Sequence, residues 1–268
     1  MSDTKPILWH IPVSHYSEKV RWALDHKRIE HERRAPMPGA HMAVALWLTR
    51  GKHKTFPVVR IDGRNVGDSS EIIAELDRRR PEHPLLPSDP DERRRALELE
   101  KFFDKRLGPQ IRLLGFHELR TDKQRMTEVA SQMTPGPLRD LPGSAAFARA
   151  FASTFVQLRY RVASDEAAAR ARAAVIAALD RLDSELDAAG GEYLVGDRFS
   201  VADLAAAALF YPLVNPPEGP RVLPGDPPAG MLEFSEPLSG RPGYRWVEEM
   251  FRRHRKPASF VPAGATPG

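Results

Sequence analysis

Thr55-Phe56-Pro57-Val58-Val59, followed by Asp68-Ser69-Ser70-Glu71-Ile72-Ile73, is the stretch on which the fold turns. A proline stands directly ahead of an apolar β-branched run, where a central strand does not accept one. Proline lacks a backbone donor, and the bond before it is the one that can be cis. The acidic-Ser-Ser cluster precedes a segment of helical periodicity and reads as a helix N-terminus whose free amides can hold a carboxylate. A loop proline entering a strand and an ordinary N-cap account for the same residues. Taken together, the two features point to a small-molecule site built from backbone groups.

Working outward, Asp62-Gly63 separates residues 58–61 from 64–66, a strong hairpin signal. Upstream, Ile7-Leu8-Trp9-His10-Ile11 reads as a strand ended by Pro12, and residues 15–26 as an amphipathic helix carrying Val20, Trp22, Ala23 and Leu24. Residues 29–33 alternate like a second strand, and a helix over 40–50 ends at Gly51. With the helix running to about residue 79, the order is β-α-β-α-β-β-α, complete by residue 80.

Residues 81–90 form a proline-rich linker with helix-start chemistry at its end. Beyond it the chain turns helical. Residues 92–114 and 166–189 carry long helical patterns, the first interrupted only by Gly108-Pro109, the second capped by Ser164-Asp165 and stopped by Gly190-Gly191. Ser200-Val201-Ala202-Asp203 is a capping box ahead of an apolar helix over 204–214 that is hydrophobic nearly all round, as a helix at the centre of a bundle must be. Regularity breaks at 135–144 and in the proline- and glycine-rich stretch 212–242, long for a connection and therefore a functional cover or a mobile loop. A final helix is expected over 244–255, and a disordered tail over 258–268.

An apolar fraction of 41% supports a normal core, and 28% charged residues are ordinary for a soluble protein. The net charge of +4 is dispersed in short clusters such as Arg78-Arg79-Arg80 and Arg93-Arg94-Arg95, accompanied by acids, which reads as solvated helix faces and not as a nucleic-acid patch. The chain has no cysteine, which excludes disulfides, thiolate metal sites and a catalytic protein thiol. It does not exclude thiol chemistry on a ligand. No window reaches the apolar length of a membrane span and no signal pattern opens the chain, so a cytoplasmic protein is expected. His10 and His15 lack metal-ligand spacing with other donors, and no metal site is expected.

Four segments carry a resemblance: Ser14-His15-Tyr16-Ser17-Glu18-Lys19-Val20-Arg21, Phe56-Pro57-Val58-Val59, Asp68-Ser69 with Ile72, and Gly196-Asp197-Arg198-Phe199-Ser200-Val201-Ala202-Asp203. In this order and spacing they are similar to the glutathione S-transferase superfamily, over residues 7–80 and 165–214. The resemblance implies a thioredoxin-like domain over 1–80 and an all-helical bundle domain over 91–257. It implies glutathione as co-substrate, with Pro57 cis and the backbone of Phe56 meeting the cysteinyl moiety. Asp68 would face the γ-glutamyl amino group and Ser69 its carboxylate, while Lys54 and Thr55 fall where the family meets the glycine carboxylate. Ser14 takes the place of a serine-type thiol-activating hydroxyl, or is simply a helix cap, and Tyr16 and Ser17 are its nearby substitutes. Lys54 reads equally as a solvated loop residue, and Arg21 as an ion-pairing one.

The leading function is therefore an enzyme that ionises the glutathione thiol for attack on a hydrophobic, electrophilic small molecule. Its outcome, whether conjugation, isomerisation, dehalogenation or ether cleavage, is left open. Phe102, Phe103, Arg106, Arg112 and Phe116 are candidates for the electrophile side, with core packing and solvent exposure as their plain alternative. Absence of cysteine speaks against the branches that use a protein thiolate. The competing class is a non-catalytic binding or scaffolding protein of the same fold. The resemblance also implies a homodimer.

Overall fold

The computed structural model describes residues 5–36, 40–120, 122, 124–125, 127, 164–220, 226–255 and 260–261. Strand β1 (Ile7–Trp9) lies parallel to β2 (His31–Arg34) and antiparallel to β3 (Val58–Ile61), which pairs antiparallel with β4 (Arg64–Gly67). The register sets Leu8 opposite Val59 and Val58 opposite Gly67. Asp62 and Gly63 both take positive φ (46° and 77°), the conformation a two-residue hairpin needs to follow the strand twist. Helices α1 (His15–His26), α2 (His41–Leu48) and α3 (Ser69–Arg79) complete the β-α-β-α-β-β-α order read from the sequence.

The sheet has one strand beyond that reading. Phe260–Val261 forms β5, parallel to β2, giving the order β4-β3-β1-β2-β5, so this part of the expected tail is paired.

The linker is docked against the first domain. The Asp77 carboxylate accepts the backbone amides of Leu85 and Leu86, and Lys27 Nζ donates to Asp77 at 2.7 Å and to the carbonyls of Glu82 and His83. Helix α4 (Pro90–Phe102) starts on the Asp89 cap with proline in its first turn, where a missing N–H costs nothing. Instead of one helix over 92–114, the chain widens into a π-helical turn at Phe103–Leu107 before α5 (Gly108–Leu119). Pro109 is the cause: it supplies no amide to the preceding turn and its ring crowds it, and a wide turn relieves both.

Helix α6 (Asp165–Ala189) is capped by Ser164 and ends on Gly190 at φ 60°. Helix α7 (Val201–Val214) opens on the expected capping box and continues through Pro212 to Asn215, in the left-handed region. The stretch 212–242 also contains α8 (Ala229–Ser235) and a short 3-10 turn at Glu236–Leu238, so it is partly structured. Helix α9 (Pro242–His254) closes the bundle. The break expected at 135–144 lies outside the described residues.

One continuous core joins the two domains, because α7, buried on nearly every side, packs on α1 as well as on α4 and α9. Trp22 of α1 is fully buried there, its ring 4.4 Å from Phe251 and 5.6 Å from Phe199, with Nε1 donating to the His254 carbonyl. Burying such a ring between the domains contributes on the order of 2–3 kcal/mol. The N-terminal end of α1 is held at the same boundary by the Tyr211 hydroxyl, which donates to the Val13 carbonyl at 3.3 Å just ahead of the helix.

Candidate functional site

That end of α1 opens into a cavity of about 480 Å³ between the domains. Ser14 is the N-cap, with extended backbone (φ −82°, ψ 124°), and its Oγ accepts the Ser17 amide at 3.3 Å. An oxygen that accepts from the helix still has its own O–H to donate, and Ser14 lines the cavity. The first-turn amides and the helix dipole favour negative charge at the same place.

The second wall comes from the turn before β3 and from the start of α3. Phe56–Pro57 is a cis peptide, as the sequence resemblance implied. Phe56 clusters with Ala45, Leu48 and Val58 and is among the residues that line the cavity. Asp68, at φ 66°, is the N-cap of α3 and accepts the Ser70 and Glu71 amides through Oδ1, at 2.9 and 3.5 Å. Ser69 is therefore the first helical residue and not the cap. It is buried, it lines the cavity, and among the described residues no side chain caps its amide. Gly67 just before them leaves room for the His53 ring, whose Cδ2 would lie 2.6 Å from a β-carbon placed there. His53 itself approaches Glu71 at 3.6 Å.

The third wall is the π-helical turn and α5. The Tyr16 hydroxyl donates to the Asp104 carbonyl at 2.6 Å, and burial, with Asp104 adding to it, raises the phenol above its usual range. Tyr16 lines the cavity, but its proton is committed across the domain boundary. The Asp104 carboxylate accepts from Lys19 Nζ at 2.8 Å and from the Ser70 hydroxyl at 2.9 Å, and Lys19 also pairs with Glu100 at 2.8 Å. Lys19 is completely buried; burial disfavours its charge, yet the two carboxylates outweigh this and hold the ammonium protonated. His15 is pushed down to about 3 by burial, helped by Arg112, and is a neutral imidazole.

Ser14, Tyr16, Thr55, Phe56, Pro57, Asp68 and Ser69 therefore meet around one cavity. Ser17 and Lys54 are not among its lining residues: Ser17 is buried, with Oγ accepting the Ile11 amide at 3.2 Å, and Lys54 is exposed. Of the electrophile-side candidates, Arg112 and Phe116 line the cavity. Phe102, Phe103 and Arg106 do not, since the wide turn changes the helical phase. Phe103 packs against Phe210 in the core, Phe102 lies under Arg181, and Arg106 is exposed. Lys105, Tyr211 and Met231 complete this side and were not legible in the sequence. Asp104 left one signal, an acid one helical turn after Glu100 and beside Phe102-Phe103. Among the described residues no group of three or more His, Cys, Asp or Glu side chains is placed to hold a metal, and no helix is long and apolar enough to cross a membrane.

Chemically, the arrangement offers a hydroxyl and a helix N-terminus for an anion, free amides and a carboxylate for a zwitterionic end group, and an apolar wall with cations beyond them. Residues 8–84 match the family described as glutathione S-transferase, N-terminal domain, and residues 165–245 the one described as glutathione S-transferase, C-terminal domain. Maleylacetoacetate isomerase of Dictyostelium discoideum is 25% identical over 214 residues, covering 79% of this chain and 80% of that protein. A glutathione S-transferase of Methylobacterium radiotolerans, solved in complex with glutathione sulfonate, superposes with a TM-score of 0.52 at 24% identity, covering 90% of this chain and 93% of that one. One from Pseudomonas fluorescens gives 0.60 at 17% identity, over 96% and 99%.

Proposed function

Since the chain belongs to the glutathione S-transferase superfamily, we propose that it binds glutathione in this cavity and activates the thiol through Ser14 for attack on an electrophilic small molecule. The observation that carries the reading is the convergence of Ser14, Phe56 and the α3 N-terminal residues Asp68 and Ser69 on one cavity. The Phe56 backbone positions the cysteinyl moiety. Ser69 takes the γ-glutamyl carboxylate at the helix N-terminus, and the free oxygen of Asp68 takes the ammonium. Thr55 stands at the rim for the glycine end, with Lys54 within the same loop as a solvated counter-charge.

Ser14 donates its hydrogen bond to the sulfur, and the thiol proton leaves to solvent. A charge-assisted hydrogen bond of about 1.5–3 kcal/mol lowers a thiol pKa by roughly one to two units, from about 8.5 into the neutral range. The thiolate then attacks an electrophile held against Ile111, Arg112 and Phe116. Tyr16, whose hydroxyl is engaged by the Asp104 carbonyl, serves the domain boundary in this scheme and leaves the sulfur to Ser14.

Two assays test this. Calorimetry should show glutathione binding, and single-turnover reaction with an activated aryl halide should slow about tenfold to hundredfold in Ser14→Ala. The isomerase relative makes isomerisation the second reaction to assay. Binding without turnover in either would replace the enzyme by a binding protein of the same fold, and absence of binding would remove the glutathione reading altogether.

A further inference from the structure

Beside the turn that carries Ser14 lies an ionic network whose side chains are not among those lining the cavity and that the thiol chemistry does not use. Arg21 donates through Nη2 to the Pro12 carbonyl at 3.1 Å and through Nη1 to the Ile11 carbonyl at 3.5 Å, and Nη1 also meets His10 Nδ1 at 2.8 Å. These are the residues of the turn that delivers Ser14. The same guanidinium donates from Nε to Glu18 Oε2 at 2.6 Å. The other Glu18 oxygen accepts Arg255 Nε at 2.7 Å, and Arg255 Nη1 reaches Asp25 Oδ2 at 2.8 Å, shared there with Arg33 at 3.0 Å. The side chains of Glu18 and Asp25 are wholly buried, and that of Arg255 is 8% exposed. Burial works against the Glu18 charge, but Arg21 and Arg255 outweigh it and hold the carboxyl below its usual range.

We propose that Arg255, through Glu18 and Arg21, is a positioning residue for Ser14, so that the C-terminal end of the helical bundle fixes the thiol-activating turn of the other domain. Each link is a charge-assisted hydrogen bond between planar groups, which constrains direction as well as distance. Glu18 is too buried to find water if Arg255 is lost, so Arg21 alone must then satisfy it and its grip on the Pro12 and Ile11 carbonyls loosens. Arg255 follows α9 directly, and α9 is pinned to α1 at the same end by the Trp22–His254 bond, so a movement of the bundle's last helix is felt at residue 14. The part of the proposal that concerns thiol activation rests on the function assigned to Ser14 above.

The test compares Arg255→Met and Arg255→Lys with Arg241→Met in the full chain. Arg241 pairs with Asp180 and Asp183 at the opposite end of α9 and serves as a control for loss of an ion pair on that helix. Hydrogen exchange of the peptide spanning residues 10–17, without ligand, reads the turn itself. Its protection should fall about tenfold in Arg255→Met, recover partly in Arg255→Lys and stay at the wild-type level in Arg241→Met. With glutathione bound, the thiol pKa should rise by about half a unit to one unit in Arg255→Met alone. Equal exchange in Arg255→Met and wild type overturns the proposal, whatever glutathione does, and so does an equal loss in Arg241→Met. A loss confined to Arg255→Met, in a protein whose wild type leaves glutathione un-ionised, upholds the positioning of the turn and refutes the thiol-activation reading instead.

Discussion

Asp68 shows how two duties fall on one residue. Its Oδ1 caps α3, and its other oxygen is the group proposed to face the ligand ammonium. The two duties separate by substitution. Asp68→Asn keeps a good cap and tolerates positive φ, so stability should stay within about 0.5 kcal/mol of wild type, while glutathione affinity falls about tenfold or more with the lost charge. Asp68→Ala should lose the affinity and, in addition, about 1 kcal/mol of stability. Denaturant melts and calorimetry on both variants check this, and equal affinity in wild type and Asp68→Asn would contradict the ligand role. Residues of this kind were readable from the sequence because cap, turn and proline chemistry is local. The Tyr16 hydroxyl was not, because its acceptor lies 88 residues away on a carbonyl at a widened turn.

At the scale of elements, α1 is bounded by three histidines that burial keeps neutral: His10 and His15 are pushed down to about 3 and His26 to about 4. Their unfolded value is about 6.5, so the unfolded chain takes up protons first as pH falls. Stability is full above 6.5 and declines between 6.5 and 4, by up to roughly 1.4 kcal/mol per pH unit for each group. Asp203, raised by burial to about 6, works the other way below pH 6, while His31 and His41, also lowered by burial, act in the same direction as the three. Thermal unfolding should therefore drop clearly from pH 7 to pH 5, and a flat profile would show that these rings are not buried neutral. The π-helical turn gives a second prediction. A β-carbon at Gly108 would lie 2.6 Å from Tyr16 Cζ, so Gly108→Ala must displace the ring and break its bond to Asp104. Loss of about 1–3 kcal/mol on chemical denaturation is expected. The sequence marked this place with Gly108-Pro109, but a helical pattern does not say whether a proline ends a helix, kinks it or widens one turn.

For the whole molecule, the boundary between domains is held by apolar packing of α1 on α7 and by buried charge clusters, among them Lys19 with Glu100 and Asp104. Lys19→Met leaves two buried carboxylates without their cation and should cost about 3–5 kcal/mol, recovered in large part when Glu100→Gln and Asp104→Asn are added. Full stability in the single variant would remove the cluster from the account. The order of the first domain and the central helix of the second were legible because periodicity, caps and turns are local signals. Long-range pairings such as Lys19–Glu100 and Glu18–Arg255 leave only isolated charges in the sequence, with nothing to match acid to base. The central claim, that Ser14 ionises the glutathione thiol, is tested most directly by ultraviolet titration of bound glutathione in wild type and Ser14→Ala. The account predicts a thiol pKa one to two units below about 8.5 in wild type, restored toward that value in Ser14→Ala. The same pKa in both proteins would contradict it.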